Sequence, residues 1–452
     1  MKQRETSLNQ IYIGRLISEN TKVLFLIAYA FFLFAVAFLF NSPSEILHGQ
    51  WTILISPANL ITDYFALTSV GATFFNSALM VLHAIGIVRL TKAKINGPVI
   101  AGVLTVSAFA FFGKNLYNSM PIVLGAFSYA KYVRMPAEKS LLSALFGTAL
   151  GPLVSEISFN LNLPLALGIL LGSTVGFMVG FILPPLANHS VRFTEGYSVY
   201  NVGFTSGVVG TIFTSIIRAF GYDIELVSLL AEGYNDSLYP LLIFLFTIMF
   251  LVGLIMNSWS LTGYKKLLQR SGKLSTDFID LDGFRITLIN MAFLGYVSLG
   301  YVYFHGGELN GPVIGGILTV VGFGAFGKHV KNVLPILIGI SLMGILNQYD
   351  MSSTAIMIAG LFGTTLAPIA GKYGMLVGMV AGAIHLSVVT NTSFLHGGVN
   401  LYNNGFAAGF VAAVLIPLLE SIQYHTEERR IQNEPDNPAE EVEKIRDEKS
   451  YK

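Results

Sequence analysis

Apolar residues run along this chain in long blocks, separated by short polar or charged stretches. The first series of blocks falls near residues 23–41, 65–88, 98–112, 120–133, 140–157, 164–186 and 198–217. A second series follows near 239–258, 286–304, 312–326, 333–347, 353–370, 373–390 and 400–420. Most blocks reach the roughly 18–20 residues that a helix needs to cross a bilayer core of about 30 Å. Lipid offers backbone N–H and C=O groups no partner, so such blocks are expected to be helices. The pattern predicts an all-α polytopic membrane protein with about 14 segments. The third and fourth blocks of each series are short for full spans, and are expected to be half-helices or the arms of a re-entrant hairpin.

The two series are copies of one another. INGPVIAGVLTVSAFAFFGKNLYNSMPIVLGAF, from Ile95, matches LNGPVIGGILTVVGFGAFGKHVKNVLPILIGIS, from Leu309. Pro98 and Pro312 set the offset at 214, and the same offset pairs Asp63 with Asp277, Thr73 with Thr287 and Asn76 with Asn290. LFGTALGP (145–152) pairs with LFGTTLAP (361–368), and SVYNVGFTSG (198–207) with NLYNNGFAAG (400–409). An internal repeat of this length is the primary organising feature. It divides the chain into an N-terminal tail (1–22), a first membrane repeat (23–220), a linker (221–238), a second membrane repeat (239–421) and a charged C-terminal tail (422–452).

Charge sets an expected orientation. If the N-terminus is cytoplasmic and every block spans, only Lys114 and Arg218 of the 27 Lys and Arg residues fall outside the cytoplasmic connections. That bias is the positive-inside pattern. An odd number of crossings per repeat then makes the second repeat enter from the opposite side, an inverted repeat of seven plus seven segments with both termini cytoplasmic and the linker extracytoplasmic.

Composition narrows the chemistry. Charged residues make up 12% of the chain, against about 25% in soluble proteins, so lipid is the main solvent. A net charge of +1 gives no electrostatic case for nucleic acid. The chain has no cysteine, which removes thiolate metal sites and cysteine nucleophiles. GFGAFGKH (322–329) imitates the start of a P-loop, but His329 stands where Ser or Thr would hold magnesium. No catalytic residues, metal or cofactor are expected, and the chain is not expected to be an enzyme.

Candidate binding residues come from polar positions that recur in both repeats. GKNLYNSMP (113–121) and GKHVKNVLP (327–335) pair Lys114 with Lys328, Asn118 with Asn332 and Pro121 with Pro335. A helix start capped just before each proline, beside a lysine, would make an anion site; the competing reading is a lysine snorkelling to an interface. Tyr200 and Asn201 pair with Tyr402 and Asn403, either as the polar lining of a path or as a packing seam. Asn76 and Asn290, near mid-helix, are candidates for a shared midplane site. Thr148 and Thr364, four residues before Pro152 and Pro368, predict bent helices with hydroxyls at the bend. His83 and His385 are candidates for a coupling proton, and no carboxylate is placed well inside a helix.

The duplicated motifs NGPVI-x-G, FGK-x-x-x-N-x-x-P, LFGT and YN-x-GF resemble a bacterial membrane family, domain of unknown function 1576, over nearly the whole chain outside its tails. The resemblance implies a location in the bacterial cytoplasmic membrane and no particular activity. At the level of architecture alone, seven-plus-seven inverted repeats with short third and tenth segments are similar to the nucleobase and sulfate transporters. The expectation is a secondary transporter of a small polar or anionic solute working by alternating access. A passive channel is the alternative, and a membrane structural component or intramembrane enzyme the third reading. The partners are then the lipid bilayer and a small molecule or ion, with further copies of the chain also admitted.

Overall fold

The computed structural model describes residues 17–58, 61–222, 224, 228–274 and 276–432, so most of the N-terminal tail and the C-terminal tail beyond Gln432 lie outside the described residues. The fold is all-α apart from one two-residue parallel pairing, Ile61–Thr62 with Ser228–Leu229. In chain order the main helices of the first repeat are α1 (Glu19–Phe40), α2 (Pro43–Ile55), α3 (Val70–Thr91), α4 (Gly97–Phe109), α5 (Leu116–Tyr132), the bent span α6 (Ala137–Phe159), α7 (Leu165–Thr194) and α8 (Asn201–Ala219). Those of the second are α9 (Asn235–Met256), α10 (Phe284–Phe304), α11 (Gly311–Gly322), α12 (Val330–Leu346), the bent span α13 (Thr354–Tyr373), α14 (Met375–Val389) and α15 (Asn403–Gln432). Among the described residues, nine helices are long and apolar enough to cross a membrane. Leu39, Leu90, Phe304 and Leu376 are more than three-quarters exposed, as side chains facing lipid would be. The chain is a multi-span helical membrane protein.

Every main helix except α2 has a partner in the other repeat. The sequence pattern did not anticipate α2, although its start is written plainly: Ser42 accepts from Glu45 N, Glu45 returns a bond to Ser42 N at 2.8 Å, and Pro43 occupies the first turn. Packing repeats as well. α1 lies on α3 and α5 on α7; their counterparts α9 and α12 lie on α10 and α14. The repeats meet where α4 packs on α11 and α8 on α15.

The short helices α4 and α11 form the centre and run antiparallel. A Cβ on Gly97, the first residue of α4, would stand 2.3 Å from the Ala325 carbonyl oxygen just past the end of α11, and one on Gly311 would stand 2.5 Å from that of Phe111. Only glycine permits this approach. At about 1.5 Å per residue each helix rises only about 20 Å, so their ends fall short of the bilayer surfaces and must find partners within the protein.

Both ends do. Asn96 and Asn310 cap the starts, accepting from Val99 N and Val313 N. Each start is also held by an aspartate of the other repeat: Asp277 accepts from Gly97 N at 3.1 Å with both oxygens, and Asp63 accepts from Gly311 N at 3.1 Å. At the other ends Asn76 Nδ2 donates to the carbonyls of Ala110 and Lys114, and Asn290 Nδ2 to those of Gly324 and Lys328, all at 2.8–2.9 Å. The anion-attracting N-termini of α4 and α11 are therefore occupied by the protein's own carboxylates.

α4 does not pack along α5, nor α11 along α12. The predicted helix starts beside Pro121 and Pro335 are corrected: α5 and α12 begin earlier, and both prolines lie inside them. The caps are Asn115 and His329, each in a reciprocal box with Asn118 or Asn332. The expected bends are present, as single 3-10 turns at Thr148–Leu150 and Thr364–Leu366.

Candidate functional site

The polar residues that recur in both repeats gather between the repeats, around an aromatic cluster with near two-fold symmetry. Tyr200 meets Phe323 and Tyr402 meets Phe109, each with ring centroids 4.6 Å apart. Tyr200 to Phe362 and Tyr402 to Phe146 are both 6.3 Å. Across the symmetry axis, Tyr200 and Tyr402 face one another at 5.2 Å. Backbone bonds cross at the same place: Val199 N donates to the Thr365 carbonyl and Leu401 N to the Ala149 carbonyl, both at 3.1 Å. The Tyr-Asn motif of each repeat is thus seated on the LFGT segment of the other.

A lysine stands at each end of this cluster. Lys114 lies 5.1 Å from the Phe109 ring, and Lys328 lies 5.3 Å from Phe323 and 4.3 Å from Tyr200. Both are fully buried, which rules out the snorkelling reading. Aromatic faces attract an ammonium, but such contacts return only part of the cost of removing a cation from water. Neither lysine has a carboxylate partner among the described residues.

The symmetry fails at the polar atoms. Lys328 Nζ donates to the Tyr200 hydroxyl at 2.5 Å and to Thr364 Oγ1 at 2.7 Å. Among the described residues, Lys114 Nζ is buried with no hydrogen-bond partner, and the Tyr402 hydroxyl makes no bond to it. Thr148 and Thr364 each return a bond to the carbonyl three residues earlier, at 2.6 Å, but only Thr364 meets its lysine.

A cavity of about 240 Å³ reaches the cluster from the end of the molecule that carries Pro98, Lys139 and Leu274. Tyr200, Asn201, Phe323 and Tyr402 line it. Phe146 also lines it, so both halves of the cluster contribute, and neither Lys114 nor Lys328 is among the lining residues.

The other sequence candidates are placed as follows. Asn76 and Asn290 hold the ends of α4 and α11, and Gln50 of α2 donates to Asn76 Oδ1 at 3.2 Å. Asn118 and Asn332 serve the caps of α5 and α12 and donate to the carbonyls of Gly113 and Gly327. Asn201 donates to the Ala187 carbonyl at 2.8 Å. Asn403 accepts from His396 Nε2 and Thr392. His385 donates to Asn404 Oδ1 at 3.0 Å and packs on Gly363, next to Thr364, whereas His83 lies on α3 with no partner at Nε2. Neither histidine touches a lysine of the cluster.

Some contributors were missed in the sequence. Phe109, Phe323, Phe146 and Phe362 form the walls, and all four belong to duplicated motifs. Glu156, in the last turn of α6, is a further buried polar residue, with Asn160 Nδ2 donating to it at 2.8 Å. It sits where the block near 140–157 was expected to be ending.

No curated protein and no solved structure matches this chain. A family model described as "Protein of unknown function (DUF1576)" matches residues 42–219 and 256–421, one segment in each repeat. Matched in this way over most of its length, the chain belongs to the DUF1576 family.

Proposed function

We propose that this protein is a secondary transporter of a small anion, working by alternating access between two inverted seven-segment repeats. The observation that carries the reading is the pair of buried lysines, Lys114 and Lys328, without carboxylates, at opposite ends of a symmetric aromatic cluster. An anion entering between two lysines buried without carboxylates would pair with both and relieve the cost of burying their charge. The antiparallel packing of α4 on α11 supports an inverted relation of the repeats, which provides two equivalent conformations of one scaffold. In the conformation described, the cavity ends on Tyr200, Tyr402 and Phe323, and Lys328 stands over the Phe323 ring. Exchange of roles between Lys328–Tyr200–Thr364 and Lys114–Tyr402–Thr148 would open the other end.

The orientation that fits the distribution of Lys and Arg has both termini in the cytoplasm of a bacterial cell, with the Pro98 end inward. The test is thermal stabilisation of the purified protein by a panel of small anions, with neutral solutes of similar size for comparison. An anion that stabilises the wild type and fails on Lys114→Ala and Lys328→Ala supports the reading. Stabilisation by neutral solutes alone, unchanged in both variants, would remove the lysines from the mechanism.

A further inference from the structure

A second basic site lies away from the aromatic cluster. A cavity of about 420 Å³ opens between the start of α12, the end of α13 and the connection before α10. Arg270, His329, Lys331 and Lys372 contribute its polar side. Arg270 is already matched by Asp282, with Nη2 3.1 Å from Oδ1. His329 Nε2 is engaged with the Arg270 carbonyl at 2.9 Å. These two build the wall. Lys331 and Lys372 are exposed and have no ion-pair partner among the described residues. The cavity therefore carries two uncompensated positive charges, with Lys331 in the first turn of α12, where the helix dipole adds to the attraction for an anion.

The opposite wall is apolar. Leu334, Pro335, Ile338 and Met375 line it, and Leu334 and Met375 are exposed on the outer face of the helices, toward lipid. A cationic pocket continuous with a lipid-facing apolar wall matches a molecule with an anionic head and an acyl tail. The first repeat does not share the feature. Tyr117 occupies the position equivalent to Lys331, and Glu156 that equivalent to Lys372. The basic pair is therefore particular to the second repeat, and repeat symmetry does not account for it.

We propose that this cavity binds the phosphate of an anionic phospholipid head group, with an acyl chain along Leu334 and Met375. The site stands independently of the transport reading. Free phosphate shares the head-group chemistry, so the test separates the two. The full chain, purified in uncharged detergent, is titrated with phosphatidylglycerol, phosphatidylcholine or inorganic phosphate while its melting temperature is followed. The expected result is a rise with phosphatidylglycerol alone. The double variant Lys331→Gln/Lys372→Gln should need at least about tenfold more phosphatidylglycerol for the same rise, the loss of two surface-range charge contacts of about 1 kcal/mol each. Lys331→Arg/Lys372→Arg should keep the response. Lys265→Gln/Lys266→Gln, which removes exposed charge outside the cavity, should also keep it. Equal stabilisation by inorganic phosphate would overturn the lipid assignment. Equal weakening in both glutamine double variants, or no response to phosphatidylglycerol, would overturn the site.

Discussion

The ammonium of Lys328 is bonded to the Tyr200 hydroxyl at 2.5 Å, across the boundary between the two repeats. The symmetric partners, Lys114 and Tyr402, make no such bond, although the rings around them superpose to within about 0.1 Å in centroid spacing. The sharpest asymmetry is therefore at the polar atoms. A double-mutant cycle on Lys328→Met and Tyr200→Phe should give a coupling energy of about 1.5–3 kcal/mol, the range for a hydrogen bond to a charged group. The cycle on Lys114→Met and Tyr402→Phe should give less than about 0.5 kcal/mol, as for residues without a shared bond. Denaturant unfolding of the wild type and the six variants reads both numbers, and equal coupling in the two cycles would contradict the asymmetry.

Lys114 is a stability liability. A buried ammonium with no hydrogen bond is costly, and methionine fills nearly the same volume without the charge. Lys114→Met should raise the melting temperature by about 1–2 °C, the effect of about 1–2 kcal/mol on a chain of this size. It should at the same time lose stabilisation by anions. A melting scan with and without anion checks both halves, and a destabilised variant would mean that Lys114 has a partner the packing does not reveal.

The aspartate caps make a different prediction, because each ties one repeat to the other. Asp277 receives Gly97 N, Ile279 N and Asp280 N. Asp277→Ala should cost about 1–2 kcal/mol, the upper range for loss of a helix cap, and Asp277→Asn about half as much. Unfolding in denaturant measures this. An Asp277→Ala protein as stable as wild type would show that the cross-repeat contact contributes nothing.

Asp63, in the connection between α2 and α3, gives a pH signature. Burial pushes its carboxyl up to about 6, against the pull of three backbone N–H donors, Ala231, Phe65 and Gly311. A folded-state pKa above the unfolded value of 3.8 means that the folded protein binds the proton more tightly. The stability this group contributes is full below about pH 4 and is lost as the pH rises through about 6. Two units correspond to about 3 kcal/mol. Asp63→Asn should remove that part of the melting-temperature profile between pH 4 and 7. Asp277, raised by burial in the same direction, keeps its own part. A variant that melts with the wild-type slope would contradict the assignment.

The repeat, the helices and the identity of Lys114, Lys328, Tyr200 and Tyr402 were legible in the sequence because duplicated polar residues among apolar membrane segments are costly and therefore conspicuous. What each does was less legible. Asn76 and Asn290 read as substrate ligands, but the shortness of α4 and α11 leaves carbonyls that a side-chain amide must satisfy. Asp63 and Asp277 recur at the repeat offset, yet only the antiparallel packing of α4 on α11 shows that each caps the other repeat. The phenylalanine walls were hidden because apolar residues are ordinary everywhere in such a chain.

The most direct measurement of the central claim is anion flux in liposomes reconstituted with wild-type protein, Lys114→Met and Lys328→Met. Wild-type uptake should be saturable and show counterflow, and each variant should lose at least about a hundredfold, the effect of about 3 kcal/mol on binding. Wild-type flux in both variants would contradict the claim.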